Sequence, residues 1–210
     1  MFTVKKLKIS GFKSFAHSTE ILIEDGVTGI IGPNGCGKSN IFEAIRWVMG
    51  ESSSKSLRSS SQDEIIFNGT QSIPAKNYAE VSLELDNFEG NIPNLKTNDE
   101  KRVVISRILE RGVGSFFKIN DKDARAKDVS IMFYDSGSGA RSSSIISQGN
   151  IDQIINFKPI DRKIILEDAA GTSGLQARRH ESELKLQSTE GNLEKIDLNL
   201  NNFISFQFYN

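Results

Sequence analysis

One cysteine, Cys36, and two histidines are all that 210 residues offer to soft-metal chemistry. That excludes an intramolecular disulfide and argues against a structural zinc site, which draws four such ligands together. A lone thiol also fits a reducing compartment. There is no run of eighteen apolar residues, so no transmembrane helix is expected and no membrane partner. The opening MFTVKKLKIS alternates apolar and polar residues; it lacks the apolar block of a signal peptide and reads as a strand. Neither sign of charge dominates, with 26 basic against 27 acidic residues and a net charge of −1. Contact with a polyanion therefore needs a local basic patch. Hydrophobic residues at 37% and charged residues at 25% are ordinary for a globular chain of this length, enough for one core or one domain with an appendage. The expected location is the cytoplasm.

Along the chain, Val4, Leu7 and Ile9 lie among lysines and predict an amphipathic strand, followed by a turn at GFKSF. TEILIEDG reads as a second strand ended by Asp25-Gly26, a hairpin signal. VTGIIG is apolar on both faces and predicts a central third strand. Ile41, Ala44, Ile45 and Val48 recur at helical spacing and predict a helix over 40–49. GESSSKSLRSSSQDE is a serine-rich loop by composition. EIIFNG, AEVSLELDN, RVVISRILE and SFFKIN are four strand candidates in a row, the last two joined by a turn at RGVGS. Residues 124–134 have helical spacing, and Pro159 is well placed to open a helix over PIDRKIILEDAAG. Beyond Ser173 the chain is polar and helix-prone. Leu186, Leu193 and Leu200 fall seven apart with Ile196 between them, a heptad trace too short to separate a coiled coil from a solvated amphipathic helix.

Gly32-Pro33-Asn34-Gly35-Cys36-Gly37-Lys38-Ser39 fits G-x-x-x-x-G-K-[ST]. A chance match in a chain of this length is on the order of one per cent. The glycines let the backbone curl its N–H groups inward into an anion nest, and the helix that follows adds its N-terminal partial charge. Lys38 brings a full positive charge to the β- and γ-phosphates, and the Ser39 hydroxyl suits Mg²⁺, which prefers oxygen ligands. Cys36 occupies a position where a small side chain suffices. Hydrolysis needs more, namely a carboxylate at the end of an apolar strand to hold Mg²⁺ or activate water. IMFYD, ending at Asp135, and KIILED, ending at Glu167-Asp168, imitate that arrangement, but the neighbours of both fit helix spacing better.

GFKSF, GPNGCGKSN, AIRWVMGE followed by KSLR, IIFNG, AEVSLELDN, SIISQGNID and EDAAG occur here in one order. Together they resemble the N-terminal head segment of bacterial SMC (structural maintenance of chromosomes) proteins, from about residue 1 to residue 200. The resemblance implies an α/β fold with an α+β edge: the N-terminal lobe of an ABC-type P-loop ATPase head, a mixed sheet around the P-loop helix, then the start of a long coiled coil. It implies a half-head over 1–158 and a helical segment into the coiled-coil arm over 159–202. The aromatic tail over 203–210 departs from the family, does not look like coiled-coil sequence and reads as a truncated or frame-shifted end. ATP and Mg²⁺ are the implied cofactors. Gly32, Pro33, Asn34, Gly35, Cys36, Gly37, Lys38, Ser39 and Asn40 would hold the nucleotide, with Lys13 and Ser14 near the phosphates. Gln148 would serve as the glutamine-loop residue that, with Ser39, holds Mg²⁺ and places the attacking water. Arg58 would be the arginine implicated in DNA-stimulated hydrolysis. The implied partners are a C-terminal half-head carrying the signature motif and catalytic carboxylates, a second protomer, a kleisin-type subunit, and DNA bound without sequence preference. Lys101, Arg102, Arg107 and Arg111 are candidates for phosphate contacts. Such a protein works in chromosome condensation and partitioning and is nucleoid-associated, and this chain alone would bind ATP without turnover.

Three rival readings make different demands. A self-sufficient P-loop NTPase or small-molecule kinase needs a working acidic strand within these residues. A head fragment of a related DNA-repair ATPase shares the P-loop but generally not the AIRWVMGE–KSLR run. A non-catalytic module would bind ATP weakly and serve only to partner another chain.

Overall fold

The computed structural model describes residues 2–51, 53, 61–86, 102–135, 145–146, 155–169 and 172–208. Its centre is a six-stranded antiparallel sheet: β1 (Thr3–Ser10), β2 (Thr19–Leu22), β3 (Tyr78–Asp86), β4 (Val103–Glu110), β5 (Gly114–Ile119) and β6 (Lys122–Ala124), in the order β2-β1-β3-β4-β5-β6. Helix α1 (Lys38–Val48) packs on β3 and β4, and α2 (Ala126–Asp135) packs on β5. Helices α3 (Pro159–Ala169) and α4 (Ser173–Phe208) follow.

Strict alternation fixes which face of the sheet is buried. Leu7 and Ile9 of β1, Val81, Leu83 and Leu85 of β3, Val103, Ile105 and Leu109 of β4, and Phe117 and Ile119 of β5 form the inner face. They pack against Ala44, Trp47 and Val48 of α1 and Val129, Met132 and Phe133 of α2. The opposite face is charged: Lys6 lies 3.8 Å from Glu20 and 3.6 Å from Glu84, and Arg102 reaches Glu84 at 3.2 Å. Exposed pairs of this kind contribute under about 1 kcal/mol each.

The β4–β5 hairpin turns at 111–113 as the RGVGS motif predicts, and the helices over 126–135 and 159–169 match their sequence signals. Asp135 and the Glu167-Asp168 pair therefore lie on helices, not at strand ends. Three expectations are corrected. The VTGIIG segment, residues 27–32, forms no strand; Val27 is fully exposed and Ile31 is 94% exposed. An extended segment apolar on both faces needs a partner strand on each side, and among the described residues none flanks it. Asp25-Gly26 does not close a hairpin; β2 pairs back onto β1, and Gly26, at φ 95°, turns the chain out of the sheet. EIIFNG is a short 3₁₀ turn over Gln62–Ile65 with a single bridge from Ile66 to Phe12, because Ile65, Ile66 and Phe67 all point into the core and leave no alternation for a strand.

Helix α4 runs unbroken through Phe208, so the backbone of the aromatic tail continues the helix at least to that residue. Leu186, Leu193 and Ile196 are all more than half exposed on it. No described helix is long and apolar enough to cross a membrane.

Candidate functional site

The site is organised by α1, which is fastened at both ends. Its N-cap is Gly37, at φ 97°, a left-handed conformation that L side chains rarely adopt. A Cβ there would also come within 3.0 Å of Ser14 Oγ. Gly35 is likewise left-handed, at φ 82°. Two such residues curl the loop around its own centre, as an anion nest requires. The N–H groups of Asn40 and Ile41 donate to Gly37 O at 2.9 and 3.3 Å, starting the helix. Lys38 Nζ folds back over the loop and donates to Gly32 O at 2.7 Å and Pro33 O at 2.6 Å, with Cys36 Sγ at 3.8 Å. The only full charge of the loop is thus held against it by two neutral carbonyls. A phosphate would compete effectively with these, since a charge-assisted bond between two ions is about twice as strong. Ser39, the first-turn hydroxyl, is exposed. These donors fit a nucleotide polyphosphate.

The GFKSF turn lies along α1 in register. Phe12 is buried against Trp47, ring centroids 5.3 Å apart; Lys13 pairs with Glu43; and Asn40 Nδ2 donates to Ser14 Oγ at 2.8 Å. Three consecutive turn residues therefore meet three points along one face of the helix, 40, 43 and 47, which recur at i, i+3 and i+7. The turn itself is pinned by Lys13 N donating to Ile65 O at 2.7 Å and by the left-handed φ of 48° at Lys13.

At the other end, Met49 caps α1 and Gly50 follows at φ 106°. Gly50 N–H donates to Trp47 O at 3.1 Å and Glu51 N–H to Arg46 O at 3.0 Å, a Schellman turn. The usual hydrophobic contact across such a turn is replaced by an ion pair, Arg46 Nη2 to Glu51 Oε2 at 2.9 Å. A Gly50→Ala substitution is expected to cost about 1–2 kcal/mol, because it forces a Cβ into the left-handed region and to 3.0 Å from Ser130 Oγ. A lower urea midpoint at unchanged m-value would show it.

Arg107 completes this end. It is 5% exposed, lies between Trp47 and Phe117 at 4.6 and 4.8 Å from the ring centroids, and donates to Trp47 O at 2.8 Å, Glu51 O at 2.7 Å and Ser115 Oγ at 2.9 Å. Desolvation lowers its pKa to about 10, opposed by the charge of Glu51. It therefore stays charged at neutral pH, a cation at the negative end of the helix. The expectation that Arg107 contacts a nucleic acid phosphate is overturned. Its place on the inner face of β4, in step with Ile105 and Leu109, takes it out of solvent. Arg102 and Arg111 remain at the surface, paired with Glu84 and, at 3.9 Å, with Asp63.

Arg58, Lys101 and Gln148 lie outside the described residues. Lys13 and Ser14 both border the P-loop helix, Ser14 directly at Gly37 and Lys13 one turn further along at Glu43. Sequence reasoning missed Glu43, Gly50, Glu51 and the buried place of Arg107. A carboxylate on the buried stripe of α1, and a basic residue in step with the apolar alternation of β4, were the available signals.

A glycine-rich nest, a lysine and a hydroxyl at the start of a sheet-packed helix define a P-loop nucleotide-binding lobe. Residues 3–149 match the RecF/RecN/SMC N terminal domain model, and the chain belongs to that family. Within it the chain is similar to the N-terminal half of SMC ATPase heads. It is 49% identical over 192 residues to the chromosome partition protein Smc of Rhodopseudomonas palustris and 43% identical over 194 residues to that of Bacillus subtilis. Those matches cover 91% and 92% of this chain but only 17% and 16% of the relatives, so the chain spans about a sixth of their length. Among solved structures, the Smc head domain of Pyrococcus furiosus, with an extended coiled coil and bound to the C-terminal domain of ScpA, matches with a TM-score of 0.74 at 31% identity, covering 94% of this chain and 49% of that one. The SMC head domain from Thermotoga maritima matches with a TM-score of 0.57 at 35% identity, covering 74% and 51%.

Proposed function

We propose that this chain is the nucleotide-binding half of a split ATPase head, which becomes competent for hydrolysis only when a C-terminal half-head joins it. The observation that carries the reading is the bare apolar segment over 27–32 leading straight into the P-loop. Val27 and Ile31 stand in solvent, Ile30 is nearly half exposed, and the glycine loop begins at Gly32. An apolar segment this exposed needs neighbours to cover it, and the loop it feeds is built for phosphate. Both stretches that imitate a catalytic strand end, at Asp135 and at Glu167-Asp168, lie on helices instead, which removes the main support for a self-sufficient enzyme.

Mg-ATP is the cofactor in this reading. Gly32 to Asn40 cradle the phosphates, Lys38 exchanges the carbonyls of Gly32 and Pro33 for phosphate oxygens, and Ser39 with Gln148 ligates Mg²⁺. The metal neutralises the triphosphate and polarises it towards transfer when bound. Lys13 and Ser14 bring the GFKSF turn to the same phosphates, and Arg58 couples turnover to DNA. The family supports the remaining partners: a second protomer across the nucleotide, a kleisin-type subunit like the ScpA seen on the Pyrococcus head, and DNA held through its backbone without sequence readout. The work of such an assembly is chromosome condensation and partitioning in the nucleoid.

Exposed core-facing surface predicts poor behaviour alone. The isolated chain should aggregate or bind a hydrophobic dye, and co-expression with a C-terminal half-head should yield a soluble stoichiometric complex. A monodisperse monomer that gains nothing from the second half would count against the split-head reading.

A further inference from the structure

Glu43 has no part in a generic P-loop, yet it is 4% exposed and sits on the helix that the loop opens. A buried carboxylate is costly unless paired, and its partner here is Lys13 of the GFKSF turn. Lys13 is in turn fixed by its left-handed backbone and by its bond to Ile65 O. The next residue, Ser14, is thereby set against Asn40 at 2.8 Å and against the Cα side of Gly37. Of the turn's bonds to α1, the Lys13–Glu43 pair is buried and the Ser14–Asn40 bond is not. Asn40 lies one helical turn nearer the loop and is partly exposed, so its neutral bond to Ser14 has water as a competitor.

From this geometry we infer that Glu43 is a positioning residue for the nucleotide: by pairing with Lys13 it latches the GFKSF turn to the P-loop helix and so sets Ser14 at the phosphate nest. The inference rests on the P-loop reading above and adds to it a residue that acts through Lys13. Glu43 never touches the nucleotide. Its negative charge would in fact oppose a phosphate at close range, which is consistent with its place one turn beyond Asn40 and under the ammonium of Lys13.

The test is titration of a fluorescent ATP analogue with Mg²⁺ into the full chain with its C-terminal half-head added. The variants are Glu43→Gln, Lys13→Met, the two combined, and Lys38→Ala. Glu43→Gln is expected to weaken binding about tenfold, the range typical when a supporting partner of a binding group is removed. The double variant should be no weaker than Lys13→Met alone, because the two residues act as one unit. The double variant also removes both charges together, which a buried site tolerates better than losing one, so the comparison survives if Glu43→Gln alone fails to fold. Unchanged affinity in Glu43→Gln, with only its melting temperature lowered, would reduce Glu43 to a structural role and overturn the inference. Tighter binding in Glu43→Gln would overturn it as well, since Glu43 would then be withholding Lys13 from the nucleotide. Additive losses in the double variant would show the two residues acting separately and would likewise overturn it. If the unsubstituted chain binds no better than Lys38→Ala, the P-loop reading itself fails, and that arm separates the two failures.

Discussion

Arg107→Ala is expected to destabilise the lobe by about 3–5 kcal/mol, a large share of a typical domain's net stability. The substitution removes three hydrogen bonds and two aromatic stacking contacts at once. It leaves the carbonyls of Trp47 and Glu51, at the C-terminal end of α1, without their buried cationic donor. Trp47 O keeps its bond from Gly50 N–H, so it loses one of two donors; a buried acceptor left wholly unsatisfied costs roughly 1–3 kcal/mol. Arg107→Lys should recover only part of the loss, since an ammonium lacks the planar fork that spans two carbonyls and stacks between rings. Trp47 is the only tryptophan in the chain and touches both Phe12 and Arg107. Its fluorescence in a urea titration therefore reports the docking of α1 directly. A loss below about 1 kcal/mol would mean that the contacts of Arg107 contribute little to the fold. The pKa of Arg107, lowered in the folded state to about 10, gives a second check. The unfolded chain holds that proton to higher pH, so from this group stability rises as pH climbs past about 10 and is flat around neutrality.

Lys38→Ala should cost about a hundredfold in Mg-ATP affinity while leaving the melting temperature nearly unchanged. The two effects separate because of what Lys38 Nζ does in the folded chain: among the described residues it bonds the loop carbonyls of Gly32 and Pro33 and lies near Cys36. Nothing in the core depends on it, and the carbonyls it releases are in an exposed loop open to water. In the bound state the same ammonium meets a charged phosphate, and a charge-assisted hydrogen bond contributes roughly 1.5–3 kcal/mol. Isothermal titration beside a thermal melt measures both quantities. Retained affinity would place the nucleotide elsewhere; a large drop in melting temperature would make Lys38 a structural residue.

The alternation of Val81, Leu83 and Leu85, and of Val103, Ile105 and Leu109, made β3 and β4 legible, because a half-buried strand writes its burial into its own residues. The P-loop was legible for a similar reason: its glycines answer to local backbone geometry. Residues 27–32 misled because a strand apolar on both faces takes its structure from neighbours, and the described residues supply none. The same dependence hid the positioning groups. Glu43 and Arg107 read as surface charges until the fold supplies Lys13 to one, and two carbonyls and two aromatic rings to the other. The GFKSF motif announced a turn but not its target, since its contacts at Asn40, Glu43 and Trp47 lie some 26 to 35 residues away. The roles of Arg58 and Gln148 rest on family resemblance alone, because a loop residue that acts on a bound nucleotide carries no burial or periodicity signal of its own.

The most direct test of the split head is Mg-ATP turnover by the purified chain, first alone and then mixed with a C-terminal half-head, with Lys38→Ala as the blank. The expected result is no turnover alone and turnover on mixing that Lys38→Ala abolishes. Turnover by the chain alone, lost in Lys38→Ala, would contradict the split head and send the search for a carboxylate back to Asp135 and Glu167.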